Sequence, residues 1–228
     1  MTDQIDVITS EEGETFDIEL EADLLKANRE IASENHRRMK EYEIVAIDVM
    51  GSVGSGKTSL IKSLISSLKR RYRIAVIEGD VTTTIDADLI AIEGVPAIQV
   101  NTGKECHLDA NLIRKALNHM KLNELDLIFI ENVGNLICPA EFPLGSDKRL
   151  VVISVTEGPY MVVKHPLMFH NADAVAINKA DLAAAMEVNP AKLEQDIAMI
   201  NPRASIVTTS CRNGLGIRDV ANALGLDS

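Results

Sequence analysis

Residues 44–59 read Ile-Val-Ala-Ile-Asp-Val-Met-Gly-Ser-Val-Gly-Ser-Gly-Lys-Thr-Ser, and this stretch decides the fold. Its second half is a complete match to the phosphate-binding pattern G-x-x-x-x-G-K-[ST]. The pattern directly follows an apolar run and directly precedes a helix-like stretch, which is the strand–loop–helix context that phosphate binding requires. The sequence therefore predicts a P-loop, with a nucleoside triphosphate as its ligand.

Each residue type in this loop has a physical role. Glycines let the backbone curl, so that several N–H groups point at phosphate oxygens. We expect Lys57 to reach the β- and γ-phosphates and the Thr58 hydroxyl to bind Mg²⁺. The positive end of the following helix dipole favours the same anions. The nucleotide-binding residues predicted here are Gly51, Ser52, Val53, Gly54, Ser55, Gly56, Lys57, Thr58 and Ser59.

Composition and charge exclude several classes of protein. The 228-residue chain has a formal net charge of −11, whereas nucleic-acid binding needs a basic face. Its apolar runs fall short of the roughly 20 residues that span a bilayer, and its first residues lack the features of a secretory signal. We therefore expect no nucleic-acid partner, no membrane association and a cytoplasmic location. The 3 cysteines are expected to be reduced thiols.

From residue 43 onward, short β-branched runs alternate with helical segments. The runs are apolar almost throughout, which is typical of parallel strands buried on both faces. The alternation predicts an α/β fold, a mostly parallel sheet with helices on both faces. The predicted strands are 44–49, 73–78, 97–101, 126–131, 150–155, 173–178 and 205–209. The predicted helices are 57–70, 109–121, 190–200 and 216–224.

The first 41 residues differ from the rest of the chain. Residues 1–16 are acidic and polar, whereas residues 17–41 have apolar side chains at helical spacing. We predict a helix whose apolar stripe packs on the main domain, with a partner-binding arm as the alternative. This stripe consists of Leu20, Leu24, Ala27 and Ile31. The expected division is an N-terminal acidic segment and helix, 1–41, and a P-loop domain, 42–228.

A second motif indicates which base is bound. Asn178-Lys179-Ala180-Asp181 follows a predicted strand and has the N-K-x-D pattern that recognises guanine. The Asp181 carboxylate can accept both guanine N1–H and the exocyclic amine, a pair of donors that adenine lacks on that edge. The Asn178 amide is expected at the other side of the base, with the Lys179 stem across the ring. After the last strand, Ser210 and Cys211 are expected to place a backbone N–H near guanine O6.

Acidic residues at strand ends supply candidates for the metal and the γ-phosphate. Asp80 ends a predicted strand and is expected to hold Mg²⁺. The polar residues 82–88 have the composition of a switch segment. Glu131 either orients water or Mg²⁺ or caps its strand, while the Gly134 N–H is placed to sense the γ-phosphate. With no Ras-type Gln after Gly134, we expect slow hydrolysis. The predicted catalytic residues are Lys57, Thr58, Asp80 and Glu131.

Thiols and a histidine follow other strand ends. Cys106-His107 precedes a predicted helix, and Cys138 lies seven residues beyond the strand end at Glu131. Both loops should open at the sheet edge that holds the P-loop, and Zn²⁺ and Ni²⁺ favour such ligands. Three ligands do not complete the coordination of such an ion. The remaining ligand would be water, a fourth side chain, or the same residues of a second copy of the chain in a dimer. Cysteines are also typical buried small side chains, so the residue pattern leaves both interpretations open.

Together these motifs resemble the HypB family of hydrogenase maturation GTPases, over residues from about 40 to 220. The segments that carry the resemblance are 51–59, 78–80, 103–110, 131–139 and 178–181. The resemblance implies a GTPase that uses GTP/GDP and Mg²⁺ and carries nickel towards [NiFe] hydrogenase. It also implies a Ni²⁺ or Zn²⁺ site at Cys106, His107 and Cys138 and a homodimer that forms with GTP. The implied partners are a second hydrogenase maturation protein and the hydrogenase large subunit.

The chain departs from the family at its N-terminus, and other GTPases remain as alternatives. Residues 1–40 contain no Cys and a single His, so the separate nickel store of many family members is not expected. The urease GTPase UreG is similar but typically presents Cys-Pro-His, where this chain has Cys106-His107-Leu108. A chaperone of a cobalamin enzyme would not need two cysteines, and a P-loop kinase would normally select adenine. A GTP-regulated protein-binding switch, with cysteines that only pack, is the remaining alternative.

Overall fold

A parallel β-sheet forms the centre of the molecule in this computed structural model, which describes residues 18–80, 90, 92–103 and 106–226. The strands of the described residues are β1 Val45–Met50, β2 Ile74–Asp80, β3 Ala97–Asn101, β4 Leu127–Glu131, β5 Lys148–Ser154, β6 Ala174–Asn178 and β7 Ser205–Thr208. They pair in the order β3-β2-β4-β1-β5-β6-β7, and every pairing is parallel. The predicted strands and the α/β fold are therefore confirmed.

Helices pack on both faces of this sheet. In chain order they are α1 Ile18–Glu41, α2 Lys57–Leu68, α3 Ala110–Asn118, α4 Met161–Lys164, α5 Leu167–His170, α6 Pro190–Ile200 and α7 Ile217–Ala223. Short 3-10 turns lie at Leu122–Glu124, Cys138–Ala140, Val155–Glu157 and Ala180–Leu182. One face of the sheet packs against α2 and α7, and the other against α1, α3, α4, α5 and α6. Helices α4 and α5 were not predicted, because four residues are too short to show a helical period.

Strand β1 lies at the centre of the sheet, and its residues explain the burial on both faces. Ile47 and Val49 enter the core beneath α2, whereas Ala46 and Met50 point into the opposite core. All four are fully buried, as the two-residue period of a strand predicts for a central position. The loop that follows β1 therefore begins in the middle of the carboxyl edge, where ligands of open α/β sheets bind.

The predicted helix near the N-terminus is confirmed as α1, but its predicted apolar stripe does not pack as expected at Leu24 and Ala27. Ile31 is half-buried, and the side chain of Leu20 lies outside the described part of the chain. Leu24 is 58% exposed, and Ala27 is exposed as well. The buried positions of the helix are Asn28, Ala32, Asn35 and Met39. This face is displaced from the apolar stripe because the helix meets loop backbone as well as apolar side chains.

Two asparagine amides attach α1 to the main domain. Asn28 Nδ2 donates to Pro143 O at 2.9 Å, and its Oδ1 accepts from the Ala110 N–H at 2.8 Å. Asn35 Nδ2 donates to Ala110 O at 2.7 Å and to Leu144 O at 3.2 Å. The helix therefore supplies hydrogen-bond partners to backbone groups at the start of α3 and in the loop before β5.

Two expectations lie outside the described residues, namely the acidic segment 1–16 and the switch segment 82–88. Among the helices that are described, none combines the length and the hydropathy needed to cross a membrane.

Candidate functional site

The P-loop connects β1 to α2 and is fixed by its neighbours. Gly56 caps α2 with a φ of 98°, and a Cβ at this position would lie 2.3 Å from Asn178 Nδ2. Glycine is therefore required by both its conformation and its surroundings. Lys57 begins the helix and is 7% exposed. Its Nζ donates to Ser52 O at 3.3 Å and lies 3.8 Å from Glu131 Oε1.

The predicted catalytic residues surround one cavity of about 480 Å³ at the carboxyl edge of the sheet. It is lined by Lys57, Thr58, Asp80, Glu131 and Gly134, among others. The Thr58 hydroxyl donates to Glu131 Oε1 at 2.9 Å. The structure therefore brings two lysines, Lys57 and Lys179, two hydroxyl-bearing residues, Thr58 and Ser59, and two carboxylates to the cavity that the P-loop encloses.

A second cavity, of about 550 Å³, adjoins the first and shares Lys179 with it. This cavity is lined by Asp181 of the guanine motif and by Cys211 of the segment that follows the last strand. Asp181 Oδ1 accepts from the Ser210 hydroxyl at 2.6 Å, and Oδ2 lies 3.9 Å from an Arg212 nitrogen. These contacts hold the carboxylate in one orientation. Burial raises the pKa of the Cys211 thiol, which keeps it protonated.

The guanine motif is hydrogen-bonded to the P-loop. Asn178 is buried, and its Nδ2 donates to Ser55 O at 3.1 Å while its Oδ1 accepts from the Thr209 hydroxyl at 3.3 Å. Lys179 has a left-handed backbone, and its Nζ donates to Gly54 O at 2.6 Å. The two cavities are therefore held in a fixed relation, as a base and its phosphates require.

Cys106, His107 and Cys138 form a cluster at the same end of the sheet. Their ligand atoms all lie within 4.8 Å of one another, and the two Sγ atoms are 2.9 Å apart. The His107 ring packs on Phe142 with a centroid separation of 3.9 Å. The hydrogen bond to Cys138 raises the pKa of the Cys106 thiol. Three nitrogen and sulfur ligands thus converge from two loops that are 32 positions apart in sequence.

The loop after β4 runs between the P-loop and this cluster. A Cβ at Gly134 would lie 2.4 Å from Val53 Cγ2, so this loop touches the P-loop directly. Asn135 pairs with Gly51 in an isolated antiparallel bridge. Its Nδ2 donates to Cys106 O at 3.4 Å. Sequence reasoning missed Asn135, because nothing in its local pattern indicates a contact with a residue 29 positions away.

Glu157 also contacts the P-loop, through Ser52, and this contact was not predicted from the sequence. It accepts a hydrogen bond from the Ser52 hydroxyl and one from the Ser154 N–H. Burial raises the pKa of Glu157. A groove of about 450 Å³ lies next to this contact, and its lining includes Val53 and Tyr160.

Residues 45–208 match the CobW/HypB/UreG nucleotide-binding domain. The chain is also 48% identical, over 203 residues, to the probable hydrogenase maturation factor HypB of Methanocaldococcus jannaschii. That alignment covers 89% of this chain and 92% of the relative. This chain belongs to the HypB family. The resemblance that its motifs indicated is thereby confirmed.

Solved HypB structures have the same fold. The hydrogenase maturation factor HypB from Archaeoglobus fulgidus has a TM-score of 0.82 and 40% identity, covering 88% of this chain and 98% of that one. HypB from Helicobacter pylori in complex with nickel also has a TM-score of 0.82, at 36% identity, covering 87% of this chain and 93% of that one. The HypB fold therefore extends over nearly all of the described residues, and the domain is a nucleotide-binding P-loop domain.

Proposed function

We propose that this chain is a GTP-hydrolysing metallochaperone that binds Ni²⁺ or Zn²⁺ and delivers nickel during maturation of [NiFe] hydrogenase. The observation that carries the proposal is the convergence of Cys106, His107 and Cys138 beside the P-loop. Thiolate and imidazole ligands favour nickel and zinc over magnesium. The Helicobacter pylori HypB, which is 36% identical, was solved in complex with nickel.

The base cavity supports GTP as the nucleotide. Asp181 lines it with a carboxylate that Ser210 orients, and a carboxylate satisfies the two donors on the guanine edge. Adenine would leave this acceptor unpaired in a partly enclosed site, which is costly. We infer that the same residues distinguish GTP and GDP from adenine nucleotides.

The phosphate cavity supports hydrolysis. Lys57 would neutralise the β- and γ-phosphates, and Glu131 would orient the attacking water. The oxygen groups of Thr58, Asp80 and Glu131 line this cavity and fit Mg²⁺, which prefers such ligands. When bound, that ion supplies charge neutralisation at the β- and γ-phosphates. Among the described residues that line this cavity none is an arginine that could serve as a finger, so hydrolysis is expected to be slow.

The exposure of the cluster fits a metal ion that must be released to a partner. Cys106 is exposed and the other two ligands are half-buried, so a partner protein can reach the bound ion. With three ligands from one chain, water or a second copy of the chain completes the site. We infer a GTP-dependent homodimer in the cytoplasm, with a second maturation protein and the hydrogenase large subunit as partners.

The proposal is tested by equilibrium dialysis of Ni²⁺ against the protein with Mg²⁺-GDP and then with Mg²⁺ and a non-hydrolysable GTP analogue. Nickel affinity should change with the nucleotide. Because they remove metal ligands, Cys106→Ser and His107→Ala should each lower it by more than the roughly 10- to 100-fold typical of supporting residues. His119→Ala is the matched control, since this exposed histidine follows α3 near the opposite edge of the sheet.

Two outcomes contradict the proposal. Nickel affinity that is equal in Cys106→Ser and the unmodified protein would show that the cluster only packs. Nickel binding that is absent while GTP still binds would leave a GTP-regulated switch without a metal cargo.

A further inference from the structure

A buried asparagine connects the nucleotide cavity with the thiol cluster. Asn132 directly follows β4, lines the phosphate cavity and is fully buried. Its Oδ1 accepts from the Leu108 N–H and from the Val133 N–H, each at 3.1 Å. Leu108 is the neighbour of His107, and Val133 is the neighbour of Gly134. One side-chain oxygen therefore holds the backbone of a metal-ligand segment and that of the predicted γ-phosphate sensor.

A buried ion pair fixes the amide of Asn132. Its Nδ2 donates to Asp48 Oδ1 at 3.2 Å, and Asp48 Oδ2 lies 3.7 Å from Arg149 Nε. Arg149 also donates to Ala140 O at 3.4 Å, within the 3-10 turn that begins at Cys138. Burial raises the pKa of Asp48, while Arg149 opposes that shift. The network of Asn132, Asp48 and Arg149 therefore contacts the turn that contains Cys138 as well as the segment that contains Cys106 and His107.

The segment that Asn132 holds has little freedom to move alone. Leu108 is fully buried, and a Cβ at Gly79 would lie 2.7 Å from its side chain. Leu108 thus packs directly on the end of β2, one residue before Asp80. A displacement of Asn132 would either move the Leu108 backbone with it or leave a buried N–H unpaired, and the second alternative is strongly unfavourable.

We propose that Asn132 is a positioning residue that makes the metal affinity of the cluster depend on the bound nucleotide. A γ-phosphate contact at Gly134 shifts the loop that begins at Asn132, and the amide transmits this shift to Leu108 and hence to His107. Asp48 and Arg149 keep the amide in the orientation that presents its oxygen to both N–H groups. The inference rests on the proposed function, because it concerns the coupling between the same two sites.

The test compares Asn132→Ala with the unmodified chain by the ratio of Ni²⁺ dissociation constants measured with Mg²⁺-GDP and with Mg²⁺ and a non-hydrolysable GTP analogue. Coupled sites typically give ratios of about 5- to 150-fold, and in the variant this ratio should fall to roughly one. Asn201→Ala is the matched control. Asn201 is also buried, with Nδ2 donating to Phe169 O and Ala172 O, but it lies away from both cavities.

Two further measurements separate positioning from a general loss of stability. The free energy of unfolding and the affinity for the GTP analogue are measured on Asn132→Ala beside the ratio. A ratio of about one in a variant that still folds and still binds the analogue is the result expected for a positioning residue.

The outcomes distinguish this inference from the proposed function. A ratio above one that persists in Asn132→Ala overturns the inference alone. A ratio of one in the unmodified chain overturns the coupling itself and the inference with it. Hydrogen exchange of the unmodified chain gives an independent result, because protection of the Leu108 amide should differ between the two nucleotide states. Identical protection would also overturn the inference.

Discussion

Under the proposed function, Asp181 is the residue that selects the base. Its carboxylate lines the base cavity, accepts from Ser210 and lies near Arg212, so its two oxygens are oriented before a base arrives. Preorganisation of this kind reduces the entropy lost on binding and sharpens the penalty for a base with the wrong donors. If this site binds guanine as proposed, discrimination between bases depends on the Asp181 charge and on the orientation of its carboxylate.

Replacing Asp181 by Asn should weaken GDP binding and reduce the preference for guanine. The amide presents a donor where guanine also presents one, and the loss of hydrogen bonds to a charged acceptor costs about 1.5–3 kcal/mol, or roughly 10- to 150-fold in affinity. Titration calorimetry with GDP and with xanthosine diphosphate, whose C2 oxygen accepts, measures the change. Asp219→Asn, at an exposed position of α7, is the control. Unchanged GDP affinity in Asp181→Asn would contradict base recognition by this carboxylate.

Sequence patterns identified residues that belong to contiguous motifs. They did not identify residues whose contacts are with partners far away in the sequence. The P-loop and the N-K-x-D motif are contiguous, so their spacing carries their chemistry. The approach of Cys106 to Cys138 was predictable, because the carboxyl ends of parallel strands meet at one edge. Asn132 had no such signal, since its partners come from β1 and from the segment before α3.

At the scale of elements, α1 shows why a helical period does not identify the buried face. The period assumes that an apolar stripe meets apolar side chains. Here part of the opposing surface is loop backbone at Pro143 and Leu144, whose carbonyl groups need donors. Asn28 and Asn35 supply them, and Leu24 is left exposed. The division of the chain into an N-terminal segment, 1–41, and a P-loop domain, 42–228, stays a prediction.

Asn35→Ala should destabilise the protein by about 1–3 kcal/mol, because it leaves the Ala110 and Leu144 carbonyl groups without this donor in a buried place. Urea unfolding followed by circular dichroism measures the loss. Ser33→Ala is the matched control, since Ser33 is exposed on the same helix and bonds only to the preceding turn. Equal stability of the two variants would show that the amide does not anchor α1.

At the scale of the whole molecule, an apolar surface lies beside the P-loop. Tyr160 is 67% exposed and Val53, within the P-loop, is 82% exposed, and both line the groove next to Glu157. Exposed apolar side chains that lie together in one groove are typical of an interface. Because Val53 also touches Gly134, a change at the γ-phosphate would alter this surface directly.

We therefore expect a GTP analogue to shift the chain from monomer to dimer, and Tyr160→Glu to prevent that shift by placing a charge in the interface. Sedimentation velocity with Mg²⁺-GDP and with the analogue measures the association. Met199→Glu is the control, because Met199 is 73% exposed near the C-terminus of α6, away from the groove. A dimer that forms equally well in Tyr160→Glu would place the interface elsewhere.

The strand order has a mechanical consequence. Cys106 follows β3 and Cys138 follows β4, yet β2 lies between these strands, so an ion held by both thiols spans the end of β2. Such an ion is a cross-link that closes a ring across 32 positions of the chain. Under the proposed function, binding of the ion links the segments that follow β3 and β4 across the end of β2, and its release opens the ring. Under the proposed function, the bound ion therefore also stabilises the protein that carries it.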